Sequence, residues 1–193
     1  MGSSLVGWVA AALSVTMMVA QALRIRRTGP AGVSPSTWAI FLVIYLYWVV
    51  YATLSGLVPL LVSSCLSLVA IVVVLAQVRA RIDGRAAAVF AASTVVVALA
   101  LVASAELAVW LSGGLAVALR FPQIRQLVVA RSTIGVSAVT WAVATVMNAL
   151  WVVYGIAEQA FAFAAVNAAI GTTSFTVLAL TVWRAHTATE SVA

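Results

Sequence analysis

The stretch Gly32-Val33-Ser34-Pro35-Ser36-Thr37-Trp38-Ala39 returns as Gly135-Val136-Ser137-Ala138-Val139-Thr140-Trp141-Ala142, changed only at its fourth and fifth places. Downstream of each copy stands the same tetrad, Trp48-Val49-Val50-Tyr51 in the first and Trp151-Val152-Val153-Tyr154 in the second. All these matches lie 103 positions apart. Upstream the offset is 102, where Trp8 matches Trp110 and Ala20-Gln21 matches Pro122-Gln123. One extra residue in the second copy's connector accounts for the step. Self-similarity at a fixed offset means that one structural unit has been used twice, and this governs how the rest of the chain is read.

The medium follows from composition. Of 193 residues, 65% are apolar and 7% are charged, against about 25% charged in a soluble domain. No soluble fold of this length could keep so much apolar surface from water. A soluble enzyme, a DNA-binding domain and a disordered chain are excluded. Apolar runs fall at 5–23, 36–55, 57–78, 86–104, 107–121, 138–157 and 159–183, each near the ~20 residues that cross a bilayer. The region 86–121 is too long for one span at ~1.5 Å per residue, and only Ser104-Ala105-Glu106 can divide it. Pro59 suits the first turn of the third helix, where a missing N–H costs nothing. The start, Met1-Gly2-Ser3-Ser4, lacks the basic run of a secretory signal, so the first run is read as a span. Cys65 is the lone cysteine, so no disulfide framework exists. The expected fold is an all-α polytopic membrane protein with seven transmembrane helices.

The net charge of +6 is a topology signal. All ten basic residues are arginines. Arg24, Arg26 and Arg27 fall in the first connector, Arg79, Arg81 and Arg85 in the third, Arg120, Arg125 and Arg131 in the fifth, and Arg184 closes the last span. The alternate connectors carry Glu106 and Glu158 instead. By the positive-inside rule the N-terminus is outside and the C-terminus cytoplasmic. The arginines thereby argue for a lipid bilayer as partner, with contact to anionic lipid, and against nucleic acid.

Each repeat holds three spans, an odd number. Two copies in the same orientation then need an inverting helix between them, and the fourth span supplies it. The layout is 3+1+3, with a pseudo-two-fold axis along the membrane normal. The first repeat takes residues 1–82, the linker helix 83–105, the second repeat 106–184, and a cytoplasmic tail 185–193.

Phe121-Pro122-Gln123-Ile124-Arg125, the connector to Gly135-Val136-Ser137, Thr140-Trp141 and Trp151-Val-Val-Tyr154-Gly155 resemble the PQ-loop/MtN3 superfamily. Within it the chain is similar, over residues 5–184, to the SWEET sugar transporters, which share the 3+1+3 layout and the outside N-terminus; the half-size bacterial SemiSWEETs correspond to one repeat. The resemblance implies facilitated passage of a sugar or similar small polar solute, without a cofactor, through the plasma membrane, here expected to be a bacterial one. A second copy of the chain is a further candidate partner. It also implies a mid-membrane sugar site built from an aromatic in the second helix of each repeat and an Asn in the third. Those positions are Trp151 with Asn167 and Trp48 with Ser64, where Ser replaces the expected Asn. Tyr51 and Tyr154, one turn outward, match the extracellular gate; the alternative is an interfacial aromatic belt. The acidic gate partner of many members is missing, Glu158 being the nearest carboxylate.

The residues support a site on their own terms. Asn148, Trp151 and Tyr154 share a helix face, as do Tyr45, Trp48 and Tyr51. Two aromatic stripes on duplicated helices suggest a lined cavity, and an Asn at mid-bilayer needs a partner or water. An indole face with an amide suits a sugar's C–H surface and its hydroxyls. The competing reading is that these residues only pack helices. Pro122 removes a backbone hydrogen bond and can kink the fifth helix, which suits a hinge flanked by Gln123, with Gln21 as its match. Repeat one has Ala20 there, so its first helix should be straighter. Gly113-Gly114 and Ala11-Ala12 are expected to allow close packing. Trp38 and Trp141 are expected in an interfacial belt; Arg120 is the one basic residue placed to face the pore, with snorkelling to the cytoplasmic interface the favoured reading.

Asp83, Glu106, Glu158, Glu190 and His186 all fall outside the apolar runs, which disfavours a proton-coupled carrier. Without lysine no retinal Schiff base can form, and no catalytic or metal motif occurs, so no enzyme is expected. Three readings remain: a passive sugar carrier, a PQ-loop carrier of an amino acid or vitamin, and a non-transporting receptor on the same scaffold.

Overall fold

A computed structural model describes residues 2–31, 33–130, 133 and 136–190. Gly32 and Gly135 of the repeated motif, Arg131 and the last three tail residues lie outside the described residues. The described chain is built of α-helices: α1 Gly2–Thr28, α2 Pro35–Ser55, α3 Val58–Gln77, α4 Gly84–Ala103, α5 Ala105–Ala118, α6 Phe121–Val128, α7 Ala138–Ala157 and α8 Phe161–Glu190. A 3₁₀ turn, Arg79–Arg81, follows α3. Seven segments are long and apolar enough to cross a membrane, with α5 and α6 together making the fifth, Ala105–Val128. The chain is an all-α polytopic membrane protein, and its environment is a lipid bilayer.

Helix is the form that satisfies every backbone polar group inside one segment when no water is at hand. The Val-rich runs, poor helix formers in water, are helical here for that reason. Hydroxyls within the spans are treated the same way: Thr53, Thr94, Thr172 and Thr181 each donate to the carbonyl four residues back. Leu54, Leu66, Val69, Leu99 and Val102 stand exposed on the outer faces, where lipid replaces water as solvent.

The two copies of the unit begin and end with the same local chemistry. Ser34 caps α2 by accepting from the Thr37 N–H at 3.3 Å, and Ser137 caps α7 by accepting from the Thr140 N–H at 3.3 Å. At the other ends, the Leu57 N–H reaches the Ala52 carbonyl at 3.0 Å and the Ala160 N–H reaches the Gly155 carbonyl at 2.8 Å. Both turns use a left-handed residue, Gly56 at φ 69° and Gln159 at φ 58°. Glycine takes that conformation freely, whereas Gln159 adopts it against the steric preference of an L side chain. The division inside 86–121 falls at Ser104, which is extended and caps α5 by accepting from the Leu107 N–H at 2.9 Å.

Within the first copy, α3 packs against both α1 and α2; within the second, α8 packs against α5, α6 and α7. Across the copies α1 packs on α7 and α2 on α5. Each of these contacts is the image of the other under the equivalences α1 with α5, α2 with α7 and α3 with α8. The pairing of helices therefore follows a pseudo-two-fold. The linker α4 packs on α2 and α5 and buries only Ala86, Ser93, Val97 and Ala100 of its length.

The fifth span departs from the first. α1 is continuous, but its counterpart breaks at Leu119-Arg120 and resumes as α6, with Pro122 in the first turn. Proline at 122 cannot donate to the Ala118 carbonyl, and its ring would strike it. With Ala20 at the matching place, α1 runs on through Arg24, Arg26 and Arg27, past the apolar run that ends at residue 23. The expectation of a straighter first helix is met.

Candidate functional site

The aromatic stripes of α2 and α7 meet in the interior through a residue of α8. Trp48 packs edge-on to the Phe163 ring at 5.4 Å between centroids and Trp151 does so at 5.7 Å. Tyr51 stacks on the same ring at 6.3 Å, with 23° between planes. Tyr154 stands edge-on to Trp151 at 5.7 Å. All five side chains are buried in one core. The structure thus brings together Trp48, Trp151, Tyr51 and Tyr154, and it buries the two tyrosines rather than placing them in an exposed belt.

Phe163 occupies the space where the stripes suggested a cavity. Room for it comes from Gly155, where a Cβ would fall 2.8 Å from the Phe163 Cδ1. Gly7 does the same for Tyr154, whose Cδ2 would lie 2.7 Å from a Cβ there. Sequence reasoning missed Phe163 because its counterpart in the first repeat is Leu60, so the duplication marked no aromatic at that place.

Three side-chain hydrogen bonds cross between the copies among the described residues, one of them from the Ser14 hydroxyl to the Met147 Sδ at 3.1 Å. The Trp151 indole N–H donates to the Ser14 hydroxyl of α1 at 3.1 Å, and Ser14 donates to the Ala10 carbonyl at 2.9 Å. The Tyr47 hydroxyl donates to the Ala105 carbonyl at the start of α5 at 2.9 Å. The residue equivalent to Ser14 is Ala116, which offers no acceptor to Trp48. Ser14 also escaped the sequence reading, since a single Ser in an apolar run carries no distinguishing signal.

The expected polar arms are held by their own helices. The Asn167 amide donates to the Phe163 carbonyl at 2.9 Å and the Asn148 amide to the Ala144 carbonyl at 2.6 Å. Each keeps its amide oxygen and a second N–H for other use. Ser64 is buried on α3. Asn167 follows Phe163 by one turn, so it lies below the ring cluster on the same side of α8. It also lines a groove of about 480 Å³ between α7 and α8, with Thr145, Gly171 and Phe175. Val153 and Phe175 on that groove are exposed, so it opens on the outer surface and not between the tryptophans.

Gln21 and Gln123 are both half-buried, beside the continuous part of α1 and the start of α6 respectively. Of the glycine pair, Gly113 sits where a Cβ would run into the Val166 side chain, whereas Gly114 faces open space. Close packing of α5 on α8 therefore rests on Gly113. Trp38 corrects the belt expectation: it is 7% exposed, in a second core cluster with Ile25, Ile71 and Val74, because α2 turns this face toward α1 and α3. The Arg120 guanidinium turns toward Ser174 of α8 and Trp141 of α7, near the arginine-rich end.

No protein-family model matches the chain, and no curated protein matches it.

Proposed function

We propose that this chain is a facilitative carrier of sugars or similar small polar solutes, working by alternating access as the two three-helix units rock against each other. The observation that carries the reading is the meeting of Trp48 and Trp151, equivalent positions of the two copies, on the one Phe163 ring. A solute held at the pseudo-axis would find an indole from each unit. Indole faces complement the C–H surface of a sugar ring, and the open amide valences of Asn148, joined by Asn167 once α8 shifts to bring its groove side to the axis, complement its hydroxyls.

In this reading the conformation is a closed one, since Phe163 packs against both indoles. Binding requires that ring to leave and the units to part, which breaks the Trp151–Ser14 bond. Motion on one side is provided for by the break before Pro122, flanked by Gln123. On the other, α1 with Gln21 is unbroken and acts as the fixed wall. Tyr51 and Tyr154 lie toward the end of the molecule remote from most of the arginines and form the outer gate. In this reading the N-terminus is outside and the Arg-rich end cytoplasmic.

The test is counterflow in proteoliposomes with a panel of sugars and amino acids, at matched and mismatched pH. Glucose or sucrose should exchange without a pH effect, and Trp151→Ala and Asn167→Ala should abolish exchange while helicity is retained. Absence of sugar exchange by a folded wild-type sample overturns the proposal.

A further inference from the structure

Arg120 stands at the break between α5 and α6. Its backbone N–H turns to the Val117 carbonyl at 3.0 Å, so the Ala116 carbonyl loses the partner a continuous helix would supply. The guanidinium replaces it, with Nη1 donating to the Ala116 carbonyl. The same group reaches across the bundle. Its Nε donates to the Ser174 hydroxyl at 3.2 Å, on the side of α8 that also carries Phe163, Asn167 and Ile170. It lies 5.9 Å from the centroid of the Trp141 ring of α7. Tyr45 of α2, from the other unit, lies within its electrostatic reach.

Every one of these partners is neutral. The chain has four acids. Asp83 caps α4, Glu106 lies in the first turn of α5 and Glu158 ends α7, while the Glu190 side chain lies outside the described residues. The half-buried cation is thus hydrogen-bonded, with its charge left uncompensated by these groups. Charges inside a membrane protein mark solute and ion pathways far more often than they serve packing. Low-dielectric surroundings also lengthen the reach of the field.

We propose that Arg120 is a charge filter on the solute route: neutral and anionic solutes pass between the units and cationic ones are refused. The filter rests on the carrier reading and narrows its substrate class to neutral sugars and sugar acids, excluding amino sugars in their ammonium form.

Counterflow with glucose, glucuronate and glucosamine tests this, below the amine pKa of glucosamine. Wild-type protein should exchange glucose and glucuronate, and glucosamine at least about tenfold more slowly, the scale for like charges about 10 Å apart at intermediate dielectric. Arg120→Gln should bring glucosamine toward the glucose rate, and Arg120→Lys should keep it excluded. Ser174→Asp, which sets a carboxylate against the guanidinium with Arg120 in place, should also admit glucosamine and serves where Arg120→Gln does not fold. Equal exchange of glucose and glucosamine by the wild type overturns the filter and leaves the carrier reading standing. Continued exclusion in a glucose-competent Arg120→Gln or Ser174→Asp variant does the same. Failure of every solute to exchange overturns the carrier reading and the filter with it.

Discussion

Trp151 and Ser14 show what a single hydroxyl does in this interior. The indole N–H is buried, and the Ser14 oxygen at 3.1 Å is its partner across the two units. Ser14→Ala leaves that donor unpaired, which costs about 1–3 kcal/mol. Thermal unfolding in detergent should register the loss. In a Trp151→Phe background the same substitution should cost almost nothing, because the donor is already gone; the double-mutant cycle isolates the pair. A cost for Ser14→Ala that persists in that background would mean the hydroxyl acts through Ala10 or Met147 instead. The comparison with Trp48 explains how much of the site could be read beforehand. The tryptophans, tyrosines and asparagines were visible because repetition or cost in lipid singles them out. Ser14 and Phe163 were not, because their counterparts are Ala116 and Leu60, and neither type is unusual in a span. Ser14 and Phe163 stand where the two copies differ, and a repeat search reads only where they agree.

At the level of elements, the same asymmetry separates α1 from α5 and α6. Pro122→Ala restores an N–H that can reach the Ala118 carbonyl and removes the ring that strikes it, so the fifth span should run through like the first. Hydrogen exchange should show the amide at 122 newly protected, and exchange of glucose should fall by tenfold or more if the break is the moving part. Unchanged transport with a restored helix would remove Pro122 from the mechanism. The turns between the second and third helices of each copy make a second comparison. They share backbone hydrogen bonds 103 residues apart, yet one uses Gly56 and the other Gln159 in the left-handed region. Gln159→Gly relieves a strain of about 1 kcal/mol, less what the freer unfolded chain takes back. A raised melting temperature is expected, and a lowered one would show that the Gln159 side chain has a role its backbone conceals. The helices themselves were readable from run length and caps. The break was readable as a kink at Pro122, but its position at Leu119-Arg120 was not, since it depends on where the guanidinium finds the freed carbonyl.

For the whole molecule, seven alternating spans put the chain's charges at opposite ends. Arg26 and Arg27 end α1, Arg79 and Arg81 form the 3₁₀ turn, Arg85 lies in the first turn of α4, and Arg125 lies in α6. Glu106 begins α5 and Glu158 ends α7, at the other end. Translocation of an arginine-rich connector is disfavoured, so the proposed orientation sets the arginines on the cytoplasmic side. A pseudo-two-fold along the membrane normal, as proposed, cannot reverse this, because both copies carry their arginines at the same end. Cysteine labelling tests the orientation directly. Cys65 faces the lipid and is replaced by serine; Ser55, which ends α2, and Ala80, in the 3₁₀ turn after α3, are both exposed and flank α3 at its two ends, and are then changed singly to cysteine. In sealed right-side-out vesicles an impermeant maleimide should label Ser55→Cys and leave Ala80→Cys unlabelled until the membrane is opened. The reverse pattern would invert the carrier, placing Tyr51 and Tyr154 at the inner mouth and Arg120 at the outer one.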